Sequence, residues 1–245
     1  MTASANESPY WKNIYKLGGV AALTAVLIGL LEIAITFLPG GNVTQETVVE
    51  WFMLFQDNWF MGLRNLGLLN ILLNSMGILT FFALYAAHRQ TAYKPYAMLA
   101  MIIAFLGVGV FYATNRAFAM LYLSNQYAIA SSDAQQALLE AAGLSMLSVG
   151  QSHSPGTFMG FFLSEVAGII ISIVMLRGEI FSKTAAYAGI LGFSLLLVFE
   201  MLSSFVTGLN VITMLLAGLG GILSMLWYLL IARRLFQLSR VSGHE

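Results

Sequence analysis

The sequence predicts an all-α integral membrane bundle of six transmembrane helices with both termini cytoplasmic. Three observations predict it. Of 245 residues, 59% are hydrophobic and 9% charged, against about 25% charged in an ordinary soluble domain. Six apolar runs are each long enough for a bilayer, which needs about 20 residues per helix. Nine of the eleven Lys and Arg residues fall in segments that six spans would place on one side. Backbone groups in lipid must be satisfied within their own segment, so the runs are read as helices. A single transmembrane domain covers residues 1–245, because no polar stretch is long enough to build a separate core.

The first span, 14–38, follows Lys12 and Lys16. It is long for a signal peptide and no small-x-small cleavage site follows it, so it is read as retained. Asn42-Val43-Thr44 next forms a glycosylation sequon, a common chance match. Residues 47–60 then pack Trp51, Phe52, Phe55, Trp59 and Phe60 around Glu50, Gln56 and Asp57, the pattern of an interfacial helix or re-entrant segment.

The second span, 61–87, ends before Arg89 and Lys94. The third, 95–124, starts on Pro95, which suits a first helical turn. Ser132-Asp133-Ala134-Gln135 then resembles a capping box opening an amphipathic helix to about Leu147. The stretch 150–155 breaks that helix. The fourth span is 156–176, the fifth 186–207 and the sixth 211–232. Gly208-Leu209-Asn210 is short enough to make the last two antiparallel neighbours.

Lys12, Lys16, Arg89, Lys94, Arg177, Lys183, Arg233, Arg234 and Arg240 all fall on one side. The opposite connections carry Glu46, Glu50, Asp57, Asp133 and Glu140 and no Lys or Arg. The basic side is therefore read as cytoplasmic, and the two amphipathic loop helices as non-cytoplasmic, either lids or interfacial anchors.

Composition also excludes. The formal net charge is zero, which gives no pull towards nucleic acid. Without cysteine there are no disulfides, thiolate nucleophiles, iron–sulfur clusters or Cys-bound zinc. His88, at the inner end of the second span, and His244, in the tail, cannot join His153 before the fourth span in a His-rich metal centre. No Walker, GxGxxG or GxSxG motif is present, and Ser152-His153-Ser154 is no triad. No cofactor is expected. The expected surroundings are the lipid bilayer and a small-molecule or lipid ligand.

The informative residues are charges inside apolar runs. A charge at membrane depth is costly, so it faces protein or a water-filled cavity and marks function. Glu32, Arg64, Arg116, Glu165 and Glu200 are such charges, and the rise per residue puts all five at or beyond the midplane on the non-cytoplasmic side. Asn65, Asn70, Asn74, Asn115 and Ser164 add polar groups at similar depth, and His153 stands just before the fourth span. Pairing each Arg with a Glu is the cheapest arrangement. Glu165 is the deepest carboxylate. Glu32, Arg64, Asn70, Asn74, Arg116, His153, Glu165 and Glu200 are the expected ligand-binding set.

The leading expectation is a polar pocket, open to the non-cytoplasmic side, that binds or transports a small polar or amphipathic ligand or lipid. One alternative is an intramembrane enzyme with Glu165 and Glu200 as acid/base partners. Another is a structural or accessory subunit whose charges only orient helices. Gly156, Gly160, Ser164, Gly168 and Ser172 repeat every four residues along the fourth span, a stripe read as close packing, as are Gly218, Gly220 and Gly221 in the last. A faint repeat links Glu32 with Glu200, each followed eight residues later by glycine, Gly40 or Gly208.

From Ser154 to Arg240 the chain also resembles a known family. Met175-Leu176-Arg177-Gly178, Ala188-Gly189-Ile190-Leu191-Gly192, Val198-Phe199-Glu200, Trp227-Tyr228 and Ala232-Arg233-Arg234-Leu235-Phe236 carry the likeness. They resemble a prokaryotic six-span membrane family known as a domain of unknown function (number 4386 in that series). The resemblance implies a six-span architecture in a prokaryotic cytoplasmic membrane. It implies no reaction, ligand or catalytic residue.

Overall fold

A computed structural model describes residues 9–36, 38 and 45–240. The sequon at Asn42, Gly40 and His244 lie outside the described residues. Ten helices account for nearly all of the rest: α1 (Pro9–Thr36), α2 (Val48–Asp57), α3 (Trp59–Asn65), α4 (Leu68–His88), α5 (Lys94–Thr114), α6 (Ala117–Ala128), α7 (Asp133–Gly150), α8 (Phe158–Gly178), α9 (Lys183–Phe205) and α10 (Asn210–Arg240). No strand occurs among the described residues.

Six segments are long and apolar enough to cross a membrane, five of them single helices and the sixth α5 continued by α6. Each sends large apolar side chains outward. Leu27, Leu72, Leu106, Ile173, Leu191 and Ile222, one from each, are exposed. Such a surface suits hydrocarbon and not water, as expected of a multi-pass membrane protein. At 1.5 Å per residue, α4 and α8 run about 31 Å, close to the thickness of a bilayer core.

The spans pack in chain order as a ring: α1 on α4, α4 on α5, α5 on α8, α8 on α9, α9 on α10, and α10 back on α1. Alternate directions gather the Lys- and Arg-bearing helix ends at one end of the ring. There Tyr15 donates to the Ala86 carbonyl at 3.3 Å, Arg89 lies over the Trp11 ring at 4.3 Å, and Arg234 Nε donates to the Ile180 carbonyl at 2.7 Å. The main core fills this half, with many alanines letting helices approach closely. At Gly189, a Cβ would come within 2.5 Å of the Trp227 ring, so α9 and α10 meet there only because the residue is glycine.

The small-residue stripe of α8 serves two neighbours. Gly160 sits against Phe111 of α5, whereas Gly168 sits against the Phe193 ring of α9. A step of four residues turns about 40° past a full revolution, so the row winds from one neighbour to the next. In α10, Gly220 packs against Leu196 of α9, while Gly218 and Gly221 face open space. Packing therefore accounts for one of those three glycines.

Two expected spans are interrupted. The run 61–87 breaks at Gly67, whose φ of 91° lies in the left-handed region that glycine tolerates. The run 95–124 breaks at Asn115, whose backbone is extended, and Arg116. Asn115 stitches the breaks together. Its Nδ2 donates to the Leu66 carbonyl at 2.8 Å, and its Oδ1 accepts from the N–H of Ala117, the first residue of α6, at 3.1 Å.

Beyond the breaks, α2, α3, α6 and α7 build a separate cap. Its core holds Trp51, Phe52, Phe55, Leu63, Leu66, Ala117, Met120 and Leu147. The outer end of the third run therefore serves the cap, because Ala117 and Met120 bury against α2 and α3. Thr47 and Glu50 form a full capping box at α2. At α7 the Ser132 hydroxyl caps Gln135 N–H, but the Gln135 side chain reaches back to Ser131 and leaves Ser132 N–H aside.

Candidate functional site

At the end of the ring away from the basic residues, the centre stays hollow. A cavity of about 220 Å³ is lined by five of the six spans and by one connection. From α4 come Asn70, Asn74 and Phe81; from α5, Val108; from α8, Phe161, Ser164 and Glu165; from α9, Phe193, Phe199 and Glu200; from α10, Ser224 and Tyr228. His153, in the connection between α7 and α8, completes it. Towards the basic end, Phe81 and Phe193 meet buried Trp227, with ring centroids 6.4 and 5.0 Å apart. This aromatic plug closes the floor.

Glu165 is placed by position alone. It stands in the second turn of α8, one residue after Ser164, whose hydroxyl folds back on the Gly160 carbonyl. Its Oε2 is fully enclosed and has no hydrogen-bond partner among the described residues. A buried carboxylate oxygen left unmatched costs free energy in proportion to its desolvation. Burying one inside a membrane bundle is rarer still.

Glu200 is held on both sides. Its Oε2 lies 2.7 Å from His153 Nδ1, and its Oε1 accepts from the Ser204 hydroxyl one turn on, at 3.3 Å. It is 2% exposed. His153 adopts φ 56°, a left-handed conformation unusual for any residue but glycine. Its ring is stacked on Phe161 and edge-on to Phe199, each centroid at 4.9 Å. Thr157 and Ser154 both donate to the Gln151 carbonyl, at 3.0 and 2.6 Å, and fix the turn that presents it.

The expected ligand-binding set therefore divides. Asn70, Asn74, His153, Glu165 and Glu200 line one cavity, with Ser164 beside them. Glu32, Arg64 and Arg116 do not line it. Arg64, buried in α3, bridges to Glu32 of α1 at 2.6 Å and donates to the Glu32 carbonyl, to Thr36 and to Asn65 Oδ1. Among the described residues, the expected pairing of each Arg with a Glu is thus observed for Arg64 and not for Arg116. Arg116 donates to the carbonyls of Ala113 and Asn115, at 2.6 and 3.1 Å. Those carbonyls belong to the broken end of α5, where a guanidinium replaces missing intrahelical partners.

Several further groups line the cavity without having stood out in the sequence. Ser224 and Tyr228 stand four residues apart on one face of α10, and Phe81, Phe161, Phe193 and Phe199 supply aromatic surface. Aromatic and small residues inside an apolar span carry no signal separating a cavity wall from ordinary core. The spacing of Ser224 and Tyr228 was the one visible hint.

Fold and site together define a multi-pass helical bundle with an acidic, aromatic-walled internal cavity. No protein-family model, no curated protein and no solved structure matches the chain.

Proposed function

We propose that the protein binds a small polar or amphipathic ligand in this cavity. One observation carries the reading: Glu165 Oε2, enclosed and unmatched among the described residues, in a cavity with further polar groups inside a bundle of apolar helices. A scaffold role would favour polar groups matched to each other, as Arg64 and Glu32 are. Acid/base catalysis by Glu165 and Glu200 would need both carboxyl groups to reach a substrate, and both oxygens of Glu200 are already bonded, to His153 and Ser204.

The basic end of the ring faces the cytoplasm on this reading, because Lys and Arg concentrate on that side. The cavity then opens to the non-cytoplasmic side of a prokaryotic cytoplasmic membrane, in keeping with the family resemblance. Transport would require the plug of Phe81, Phe193 and Trp227 to move.

Native mass spectrometry of protein extracted gently from its membrane, wild type beside Glu165→Gln, tests the reading. A defined molecule retained by wild type and lost from the variant is the expected result. Two equally folded proteins carrying only bulk lipid would overturn it in favour of a scaffold role.

A further inference from the structure

The hydrogen-bonding capacity left open in the cavity is mostly acceptor. Ser164 and Ser224 each spend their single hydroxyl hydrogen on their own helix, at the Gly160 and Gly221 carbonyls. Their lone pairs remain. Asn74 Nδ2 donates to the Asn70 carbonyl at 2.8 Å, which leaves its Oδ1 as acceptor. Glu165 Oε2 is a further acceptor. The donors that remain are neutral: the Tyr228 hydroxyl and amide hydrogens of Asn70 and Asn74.

Charge points the same way. No Lys or Arg is among the lining residues, and Glu165 and Glu200 both are. Glu200 is hydrogen-bonded to His153 and Ser204. The two arginines nearest in depth are committed elsewhere, Arg64 to Glu32 and Arg116 to backbone carbonyls. That leaves Glu165 with no cationic side chain among the lining residues, and a cation beside it would favour its charged form. The rings of Phe81, Phe193 and Tyr228 add π surface, which attracts cations, alkylammonium ions above all.

Size narrows the choice further. At 220 Å³ the cavity lies below the roughly 300–1,000 Å³ of drug-sized ligand sites, which suits a small ligand or head group and not whole acyl chains. A bare metal ion needs several converging oxygen ligands. No group of three or more His, Asp or Glu placed to hold a metal occurs among the described residues.

We propose that the cavity takes a small organic ammonium ion, a protonated or quaternary alkylamine, its charge beside Glu165 and its alkyl groups against Phe81, Phe193 and Leu196. This rests on the reading that the cavity binds a ligand at all.

Calorimetric titration of the detergent-solubilised protein tests it. The cationic probes are choline, tetramethylammonium and ethylammonium. The controls are 3,3-dimethylbutanol (the uncharged isostere of choline), acetate, and sodium chloride at matched ionic strength. The expected result is saturable binding of the ammonium probes, with the isostere weaker by about tenfold or more. Glu165→Gln should weaken choline by a similar factor, while Glu140→Gln, in α7 and bonded to Tyr127, leaves it unchanged. If Glu165→Gln does not fold, the preference of wild type for choline over its isostere decides alone. Equal binding of the isostere or of acetate would overturn the ammonium assignment and leave the cavity reading standing, and so would a native ligand with no amine. Saturation by sodium alone would overturn it in favour of an inorganic cation. Absence of any bound probe, together with no retained ligand in native mass spectrometry, would overturn both readings.

Discussion

The Nδ1 of His153 lies 2.7 Å from Oε2 of Glu200, joining the connection before α8 to the far part of α9. The two groups support each other unequally. Glu200 is enclosed, whereas the His153 side chain is 39% exposed. The carboxylate therefore loses more if the bond is broken.

Substitution of His153 should separate bond from backbone. His153→Ala removes the partner of Glu200 and keeps a side chain at φ 56°. It should cost about 1–3 kcal/mol, the usual penalty of orphaning a buried polar group. His153→Asn should cost less, because Asn tolerates the left-handed region and its amide can still donate. Thermal unfolding in detergent should therefore rank wild type above Asn and Asn above Ala. Ala equal to wild type would show that the contact contributes nothing.

Arg64 and Glu32 should also respond unequally. Arg64 is buried with several acceptors around it, while the Glu32 side chain is 44% exposed. Glu32→Gln should be the milder change, since the Gln side-chain oxygen and the carbonyl at position 32 can both still accept from Arg64. Arg64→Lys should cost more, because an ammonium cannot reproduce the planar fork that reaches Glu32, Thr36 and Asn65 together. Neither variant should change ligand binding. A change in binding would move this pair back into the site.

How far the sequence could be read follows from these residues. Span number and the basic end are set by hydropathy and charge, which are local. Depth along a helix is also local, so Glu165, Glu200, Asn70 and Asn74 could be found as polar groups at similar height. Rotation about the helix axis is set by neighbours. For that reason Arg64 and Arg116, equally conspicuous in sequence, face away from the cavity, Arg64 towards Glu32 of α1 and Arg116 towards the broken end of α5. The breaks were illegible because Gly67 and Asn115 sit in continuous apolar runs, and the bond that joins them crosses 49 residues. The match of Glu32 with Glu200 holds for depth but not for role, since only Glu200 reaches the cavity.

Glycine substitutions give a test of packing that avoids the site. Gly189→Ala would push a methyl against Trp227 and should destabilise by about 1–3 kcal/mol, as overpacking does. Gly221→Ala meets nothing within 4 Å and should be neutral or stabilising by up to about 1 kcal/mol through helix propensity. The same unfolding assay reads both. Equal effects would contradict the close contact of α9 with α10.

Cavity access can be tested directly because the chain contains no cysteine. Thr184→Cys at the basic end, Gln136→Cys in α7 and Ser224→Cys in the cavity wall each introduce a single thiol. In sealed vesicles of known orientation, Gln136→Cys and Ser224→Cys should be labelled from one side and Thr184→Cys from the other. Ser224 stands beyond the plug of Phe81, Phe193 and Trp227 from the basic end, so labelling of its replacement from the Thr184 side would show that the plug opens. Charge adds a second reading on the same thiol. A cavity containing Glu165 and Glu200 concentrates cations, so a cationic methanethiosulfonate should react with Ser224→Cys faster than an anionic one by about tenfold or more. Combining Ser224→Cys with Glu165→Gln should narrow that ratio, while the ratio at Gln136→Cys stays fixed. A ratio unchanged by Glu165→Gln would mean that this carboxylate does not set the field inside the cavity.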